Sequence, residues 1–259
     1  MATAVIGYSH AKALKHAPNA GPGGPLDVRR CYFLRGGYRI EPAGPDGPLR
    51  LVATGEEMDE DPLRLEDFDT LVLSAAGWRA ARNEVVETDG PALHPLGCMA
   101  CASWGFQPER LPGVRLVSAA VFDATVEAWL RVQNVVQLAR DLVQATESRI
   151  IVQPWPAPNR VMKADPDWVI NRWYGVHGPA AWRVFFIAQQ AALRRLVAEI
   201  GPRVVLLDYP LADTLEDGFT DSAFGGTDLF HGNLAYGALV IDQIAAHMAG
   251  KRGGEPAIA

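Results

Sequence analysis

Short buried strands alternate with helical segments along much of this chain, and this alternation constrains the fold more than any other feature. Four runs of small and branched apolar residues each end at a turn signal, at residues 3–8, 69–77, 149–156 and 203–210. Strands that alternate with helices are typical of a parallel sheet covered on both faces. In such sheets, ligands bind beyond the carboxyl ends of the strands. We therefore expect the functional site among the residues that follow these strands.

The segments between these strands carry helical patterns and unusually long loops. A helix is predicted over residues 117–146, a second begins at Pro179 and ends before Gly201, and a last one occupies residues 231–248. Residues 88–113 are rich in Gly, Pro, Cys and aromatic side chains. A structureless loop of this length is uncommon unless it covers a site. It is either a cap beside the mouth of the sheet or a surface excursion packed by its own side chains.

Composition limits the class of protein and its partners. Hydrophobic residues make up 49% of the 259 residues, charged residues 21%, and the net charge is −6, without a basic stripe. Nucleic acid and anionic membrane surfaces are therefore excluded as expected partners. No apolar run approaches a membrane span, and the first residues do not resemble a signal peptide, so we expect a cytoplasmic protein. A single domain over residues 1–250 with a flexible tail at 251–259 is the expected organisation.

The three cysteines do not form a disulfide framework, because they are sparse and odd in number. Cys98 and Cys101 form one CxxC motif, with His94 shortly before it. Structural zinc sites need a fourth ligand, usually from a second close pair, and the sequence offers none. We therefore predict free thiols in a loop and no metal.

Ser9 follows the first strand and precedes a short helical segment that Pro18 ends. Its hydroxyl is thus expected near a helix N-terminus, where unpaired backbone N–H groups favour developing negative charge. Such donors hold the oxyanion that forms when a serine attacks a carbonyl. Serine is also a preferred N-cap that closes helices without any catalytic role. Position alone favours the cap, and a nucleophile would need a base elsewhere in the chain.

A candidate base stands just before the last helix, in the segment TDLFHGN. Asp228 and His231 are three residues apart there, a spacing that lets the carboxylate hold the imidazole in a turn leading into a helix. The aspartate would fix the tautomer of the histidine and stabilise the imidazolium, and His231 would accept the proton of Ser9. In the alternative interpretation, Asp228 caps a turn and His231 caps the final helix.

The order of these residues resembles a known superfamily. The run Gly7-Tyr8-Ser9-His10-Ala11 fits the α/β-hydrolase nucleophile elbow only locally, because that family places its elbow deep in the chain. A serine after the first strand with Asp-x-x-His before the last helix instead resembles the SGNH (GDSL-like) hydrolases. VIGYSHAKAL is similar to their first sequence block and DLFHGNLAYG to their last. The resemblance implies a flavodoxin-like three-layer α/β/α fold, with Ser9 as nucleophile, His231 as base and Asp228 as the residue that orients the base.

The resemblance also locates an oxyanion hole, where the sequence departs from the family pattern. The family usually has Asp or Asn before the serine, and this chain has Tyr8. The family's Gly-x-Asn-Asp-like block falls at SAAGWRAARNE, in which Gly77 matches in position and Arg79 stands near the expected asparagine. The resemblance implies Gly77 as a donor, with Asn83 reaching in from the next turn. Arg79 or Arg82 would replace the missing asparagine or bind an anionic substrate group.

Other side chains are ambiguous from sequence. An aromatic group in and near the predicted loop after the third strand comprises Trp155, Trp168, Trp173, Tyr174 and His177. Such a group can stack on a sugar ring but more often packs a loop against its own domain. His10 is either a support for the site or a surface histidine, and Asp208 ends a strand without an assigned role.

The sequence supports three hypotheses about function. The first is an SGNH-like serine esterase that removes an acyl group from a carbohydrate or small-metabolite ester, with no cofactor. The second is a non-catalytic ligand-binding protein on the same fold, motivated by Tyr8 and the missing asparagine. The third is an acyltransferase that passes the acyl group to an alcohol. The sequence leaves the oligomeric state open.

Overall fold

The structure, a computed structural model, describes most of the chain as strands, helices and ordered turns. It describes residues 2–34, 37–54, 61–76, 92–96, 114–160, 169–226 and 231–250. The strands are β1 (Thr3–Gly7), β2 (Val28–Phe33), β3 (Tyr38–Pro42), β4 (Leu49–Ala53), β5 (Leu63–Arg64), β6 (Thr70–Ala76), β7 (Ala92–Leu96), β8 (Val114–Ser118), β9 (Arg149–Pro154) and β10 (Val204–Leu206). The helices are α1 (Ala11–Lys15), α2 (Ala119–Arg131), α3 (Asn134–Ala145), α4 (Val169–Ile200), α5 (Ala212–Asp217) and α6 (Leu234–Met248), and a 3-10 turn covers Leu65–Asp67.

Five strands form a parallel sheet at the centre of the molecule. Their spatial order is β10-β9-β6-β1-β2, and every neighbouring pair is parallel. Counted along the chain within this sheet, the order reads 5-4-3-1-2, so the first strand lies inside the sheet and its carboxyl end is flanked on both sides. The predicted parallel sheet is confirmed.

Helices cover both faces of this sheet, as an all-parallel sheet requires. Because successive side chains of a strand point to opposite faces, Val5, Val72 and Ile151 pack against α1 and α6. Their neighbours Leu73 and Val152 belong to the larger cluster under α2, α3 and α4. The fold is therefore α/β with a five-stranded parallel sheet, compatible with a three-layer α/β/α architecture.

The crossover from β2 to β6 carries a small antiparallel sheet. Strands β3, β4 and β5 pair in that order, with Ile40 opposite Leu51 and Leu51 opposite Leu63. The turn residues in EPAGPDGPLRLVA, residues 41–53, predict a hairpin here, and the antiparallel pairing of β3 with β4 confirms it. Leu51 and Leu63 are fully buried, so this sheet extends the core beyond the edge of the central sheet.

The helix predicted over residues 117–146 is two helices. Residues 132 and 133 interrupt it between α2 and α3. The single stripe that predicted one helix includes Val121, which is half exposed. The break lets α2 bury Phe122 and Trp129 while α3 turns its own apolar face to the sheet. Packing against the core thus overrides the local pattern.

Helix α4 begins at Val169, so the prediction that it starts at Pro179 is wrong. A proline inside a helix removes one hydrogen bond and costs about 3 kcal/mol, which is why it predicted a start. The helix nevertheless continues through Pro179 in the structure. The predicted end is confirmed, because α4 ends at Ile200 and Gly201 has a φ of 135°.

Two segments predicted as loops contain regular structure. Strand β7 lies within residues 88–113 and pairs with β8 in a separate two-stranded parallel sheet. Helix α5 lies in the segment after β10, which itself ends at Leu206, well before residue 210. The rest of 88–113, which carries the prediction of a cap, lies outside the described residues, as does the predicted tail at 251–259.

Helices α1 and α6 touch backbone to backbone. A Cβ atom on Gly237 of α6 would lie 2.1 Å from the carbonyl oxygen of Ala13 in α1, so the approach requires a glycine. Asn19 adds hydrogen bonds from its Nδ2 to the carbonyl oxygen of Ala238 at 3.0 Å and to Oδ1 of Asp242 at 2.7 Å. Together these contacts fix α6 against the first helical turn of the chain.

This contact predicts that Gly237→Ala destabilises the fold. The new methyl group must push the two helices apart, and overpacking of this kind costs about 1–3 kcal/mol or more. Urea unfolding measures the loss. Gly44→Ala is the matched control, because a Cβ at Gly44 meets nothing within 4 Å, and its free energy of unfolding should change by less than about 1 kcal/mol. Equal stability of the two variants would refute the close approach.

Candidate active site

Ser9 lies at the carboxyl end of β1, in the turn that leads into α1. The N–H of Ala11 donates to the carbonyl oxygen of Tyr8 at 2.9 Å, and that of Lys12 donates to the carbonyl oxygen of Ser9 at 3.2 Å. This turn exposes Ser9 to solvent, whereas the next residue, His10, is only 3% exposed. The serine therefore stands at the sheet edge where ligands bind in parallel α/β folds.

His231 reaches Ser9 from the far end of the chain. Its Nε2 lies 2.8 Å from Ser9 Oγ, a hydrogen bond between residues 222 positions apart. The structure therefore brings together two of the residues that the sequence selected. A serine hydroxyl bonded to the Nε2 of an imidazole is the geometry from which a histidine removes the proton of an attacking serine.

The alternative role of Ser9, as a helix cap, does not fit this geometry. The N-cap position of α1 is His10, and no side chain caps the helix there. The Ser9 hydroxyl is instead bonded to His231. Helix α1 has five residues, too short for the helix-end stabilisation of an oxyanion that the sequence suggested. Among the described residues, no acceptor bonds the backbone N–H of Ser9.

The backbone before α6 folds into a narrow hairpin that carries His231. Gly225 and Gly232 form an antiparallel bridge, and the N–H of Gly226 donates to the carbonyl oxygen of His231. A Cβ on Gly226 would lie 2.7 Å from that oxygen. Small residues are thus required where the hairpin closes. Asp228 belongs to residues 227–230, which lie outside the described residues.

Asn233 joins the hairpin to α6. Its Oδ1 accepts a hydrogen bond from the N–H of Tyr236 at 3.0 Å, and its Nδ2 donates to the carbonyl oxygen of Ala223 at 2.7 Å. Asn233 is therefore the N-cap of the last helix. The alternative in which His231 caps this helix is wrong, and the imidazole is left to bond with Ser9.

His10 packs directly behind the imidazole of His231. The two ring centroids lie 4.2 Å apart and the ring planes differ by 13°. His10 also contacts the indole of Trp155, with ring centroids 3.9 Å apart and ring planes inclined by 58°. The sequence allowed His10 to be either a support for the site or a surface histidine. Because His10 is buried, the surface alternative is wrong.

Trp155 is itself anchored below the site. Its side chain is 5% exposed, so it packs rather than lining an open rim. Its carbonyl oxygen accepts a hydrogen bond from the hydroxyl of Tyr209 at 2.8 Å. Burial raises the pKa of the Tyr209 phenol, so this group stays protonated and donates. Gln153 and Ser74 add a buried hydrogen bond of 2.8 Å between β9 and β6.

The remaining predicted residues fall in different places. Gly77, Arg79, Arg82, Asn83, Cys98, Cys101 and Trp168 lie outside the described residues. Trp173, Tyr174 and His177 lie on α4 and not on a loop. Asp208 forms an exposed ion pair with Arg194. Tyr8, which stands where the family has Asp or Asn, accepts a hydrogen bond from Asn134 Nδ2 at 3.1 Å.

Searches for related proteins add no assignment. No protein-family model, no curated protein and no solved structure matches this chain. Within the part of the chain that the structure describes, no helix is long and apolar enough to cross a membrane, and no three His, Cys, Asp or Glu side chains group as a metal site would need. The geometry around Ser9 is therefore the observation from which a function can be inferred.

The hydrogen bonds of Asn233 predict a measurable cost for its removal. Asn233→Ala loses the cap of α6 and the bond to Ala223, so the free energy of unfolding should fall by about 1–2 kcal/mol. Asn233→Asp keeps the cap and should fall between this variant and the wild type. Ser118→Ala, which removes the cap of α2, is the control and should lose about 1 kcal/mol. Chemical denaturation that ranks Asn233→Ala with the wild type would contradict this arrangement.

Proposed function

We propose that this protein is a serine ester hydrolase of the SGNH type. The observation that carries the proposal is the 2.8 Å hydrogen bond between Ser9 Oγ and His231 Nε2 at the carboxyl edge of a parallel sheet. The order of the central strands supports it, because 2-1-3-4-5 is the order of flavodoxin-like folds. The single-domain organisation with a cap is proposed with it, on the sequence pattern alone.

The proposed reaction has two steps. His231 Nε2 takes the proton of Ser9 as Oγ attacks the acyl carbon of the ester, and a tetrahedral intermediate forms. When this intermediate collapses, the bond to the alcohol oxygen breaks and the imidazolium returns its proton to that oxygen. Water then attacks the acyl-serine with His231 as base, and the carboxylic acid leaves. No cofactor and no metal take part in this sequence.

Asp228 is proposed to orient the base. Because Nε2 of His231 faces Ser9, the proton of the neutral imidazole must sit on Nδ1 for Nε2 to accept. A carboxylate bonded to Nδ1 selects that tautomer and stabilises the imidazolium. Asp228 has the spacing that the resemblance assigns to this role.

The proposed oxyanion hole begins with the backbone N–H of Ser9. Gly77 and Asn83 or Arg79 are proposed to complete it, on the resemblance described above. The loss of one such donor typically costs about 2.7–4 kcal/mol of transition-state stabilisation. The replacement of the usual asparagine therefore predicts a slower enzyme, or one adapted to an anionic ester.

The substrate class is proposed as an ester of a carbohydrate or small metabolite, on the resemblance to SGNH hydrolases, and the location is proposed to be the cytoplasm. Transfer of the acyl group to an alcohol is the second candidate, because it uses the same acyl-serine. The exposure of Ser9 favours water as the acceptor. A ligand-binding protein on the same fold would not need the base-activated serine.

Labelling with a fluorophosphonate tests the nucleophile. Wild type should react at Ser9, and Ser9→Ala and His231→Ala should lower the labelling rate by at least about 10³-fold, because each removes a member of one catalytic unit. Asp228→Asn should lower it strongly as well, through the wrong tautomer. Mass spectrometry locates the adduct and gel fluorescence gives the rate.

The controls for this labelling are Ser118→Ala and His247→Ala. Ser118 is the last residue of β8 and the N-cap of α2, and His247 lies in the last turn of α6. Both variants should label at the wild-type rate. Folded wild-type protein that does not label would reject the hydrolase and the transferase together and leave the binding protein.

The fate of the acyl group separates the two enzymatic candidates. With a p-nitrophenyl ester and an added primary alcohol, we expect the free acid as the main product, because exposed Ser9 admits water. Chromatography of the products measures the ratio of acid to new ester, with Ser9→Ala as the blank. A new ester that dominates at low alcohol concentration would identify a transferase.

A further inference from the structure

The imidazole of His231 has a flat partner on one face. The ring of His10 lies 4.2 Å away and nearly parallel, at 13°. The lone pair of an imidazole nitrogen lies in the plane of its ring. Rotation of the His231 ring about its Cβ–Cγ bond therefore swings Nε2 away from Ser9 Oγ. A parallel ring in contact limits this rotation, because any tilt drives the edge of one ring into the face of the other.

The ring of His10 can limit the rotation of His231 because His10 is fixed in position by its own neighbours. It is 3% exposed. Its ring centroid lies 3.9 Å from that of the Trp155 indole, and the two ring planes are inclined by 58°. Trp155 is fixed by burial and by the bond from Tyr209 to its carbonyl oxygen. The backbone of His10 is fixed too, since its carbonyl oxygen accepts from the N–H of Ala13 in α1. His231 is the more exposed member of the stack, since it is only half-buried.

The stack also suits the charge that His231 acquires. During attack the imidazole of His231 becomes positive, and the face of an aromatic ring attracts a cation. The aromatic face of His10 favours that state, whereas an aliphatic side chain of similar bulk supplies neither the face nor the plane. The flatness of the side chain at residue 10 is therefore the property on which this inference rests.

We infer that His10 is a positioning residue of this site, which sets the ring plane of His231 so that Nε2 stays aimed at Ser9. The inference rests on the proposed function for its effect on rate. Its structural part, a clamped and stacked His231, stands on the distances alone. Adjacent positions of the chain thus supply the nucleophile and the support of its base.

A pair of substitutions tests flatness against bulk. His10→Phe keeps an aromatic face, and His10→Leu keeps an apolar side chain without one. We expect His10→Phe to label with fluorophosphonate within about 3-fold of wild type, and His10→Leu to fall by about 10–100-fold, the size of effect that a misplacement of 1 Å can cause. His16→Leu, an exposed histidine at the other end of α1, is the control and should label as wild type does.

A spectroscopic measurement is independent of activity. In the wild type, NMR should show the ring protons of His231 shifted upfield relative to those of exposed His16, because they lie over the face of His10. The shift should persist in His10→Phe and vanish in His10→Leu. Circular dichroism and urea unfolding establish that each variant is folded. The wild-type spectrum alone tests the stack should a variant fail to fold.

The outcomes separate this inference from the proposed function. Wild type without labelling but with shifted His231 protons would reject the hydrolase and leave the stack standing. Labelling of His10→Leu at the wild-type rate would overturn the positioning role while Ser9 remains an activated nucleophile. A folded His10→Phe that labels as poorly as His10→Leu would also overturn it, because flatness would then not be the property required. Unshifted His231 protons in wild type would reject the stack itself.

Discussion

The contact between the backbones of α1 and α6 is the constraint on which the rest of the site depends. Gly237 lets α6 approach the carbonyl oxygen of Ala13 closer than any side chain would permit. Ser9 lies just before α1 and His231 just before α6, so the separation of the two helices sets the separation of the two side chains. A hydrogen bond tolerates errors of a few tenths of an ångström. Van der Waals contact between two backbones is among the few packing interactions stiff enough to hold that tolerance across the whole chain.

Tight backbone turns position both halves of the site. The turn after β1 exposes Ser9 to solvent and buries the next residue, His10, in the core. Glycines close the hairpin that carries His231, because Gly226 meets the carbonyl oxygen of His231 where a Cβ would clash. Asn233 then converts the end of the hairpin into the start of a helix. Among the described residues, Ser9 thus lies on a short turn and His231 beside a tightly closed backbone bridge.

The sequence predicted the features that local physics determines, and missed those that packing determines. Buried runs located four of the five strands of the central sheet, turn residues indicated the hairpin after β2, and Gly201 marked the end of α4. The break at residues 132–133 and the passage of α4 through Pro179 were missed, because both oppose local preference and depend on the core. Ser9 and His231 were found by their places in the order of elements. The place of His10 was left open, since nothing in a histidine beside a serine tells which of the two residues the turn will bury.

The separation of 222 positions between Ser9 and His231 has a consequence for the life of the chain. The serine acquires its hydrogen-bond partner only after the hairpin and α6 have docked on α1. A chain still emerging from the ribosome, or one shortened from its far end by a protease, retains the serine but not the imidazole. In the proposed enzyme, Ser9 would therefore become reactive only in the complete fold, and an incomplete chain would carry an inert serine.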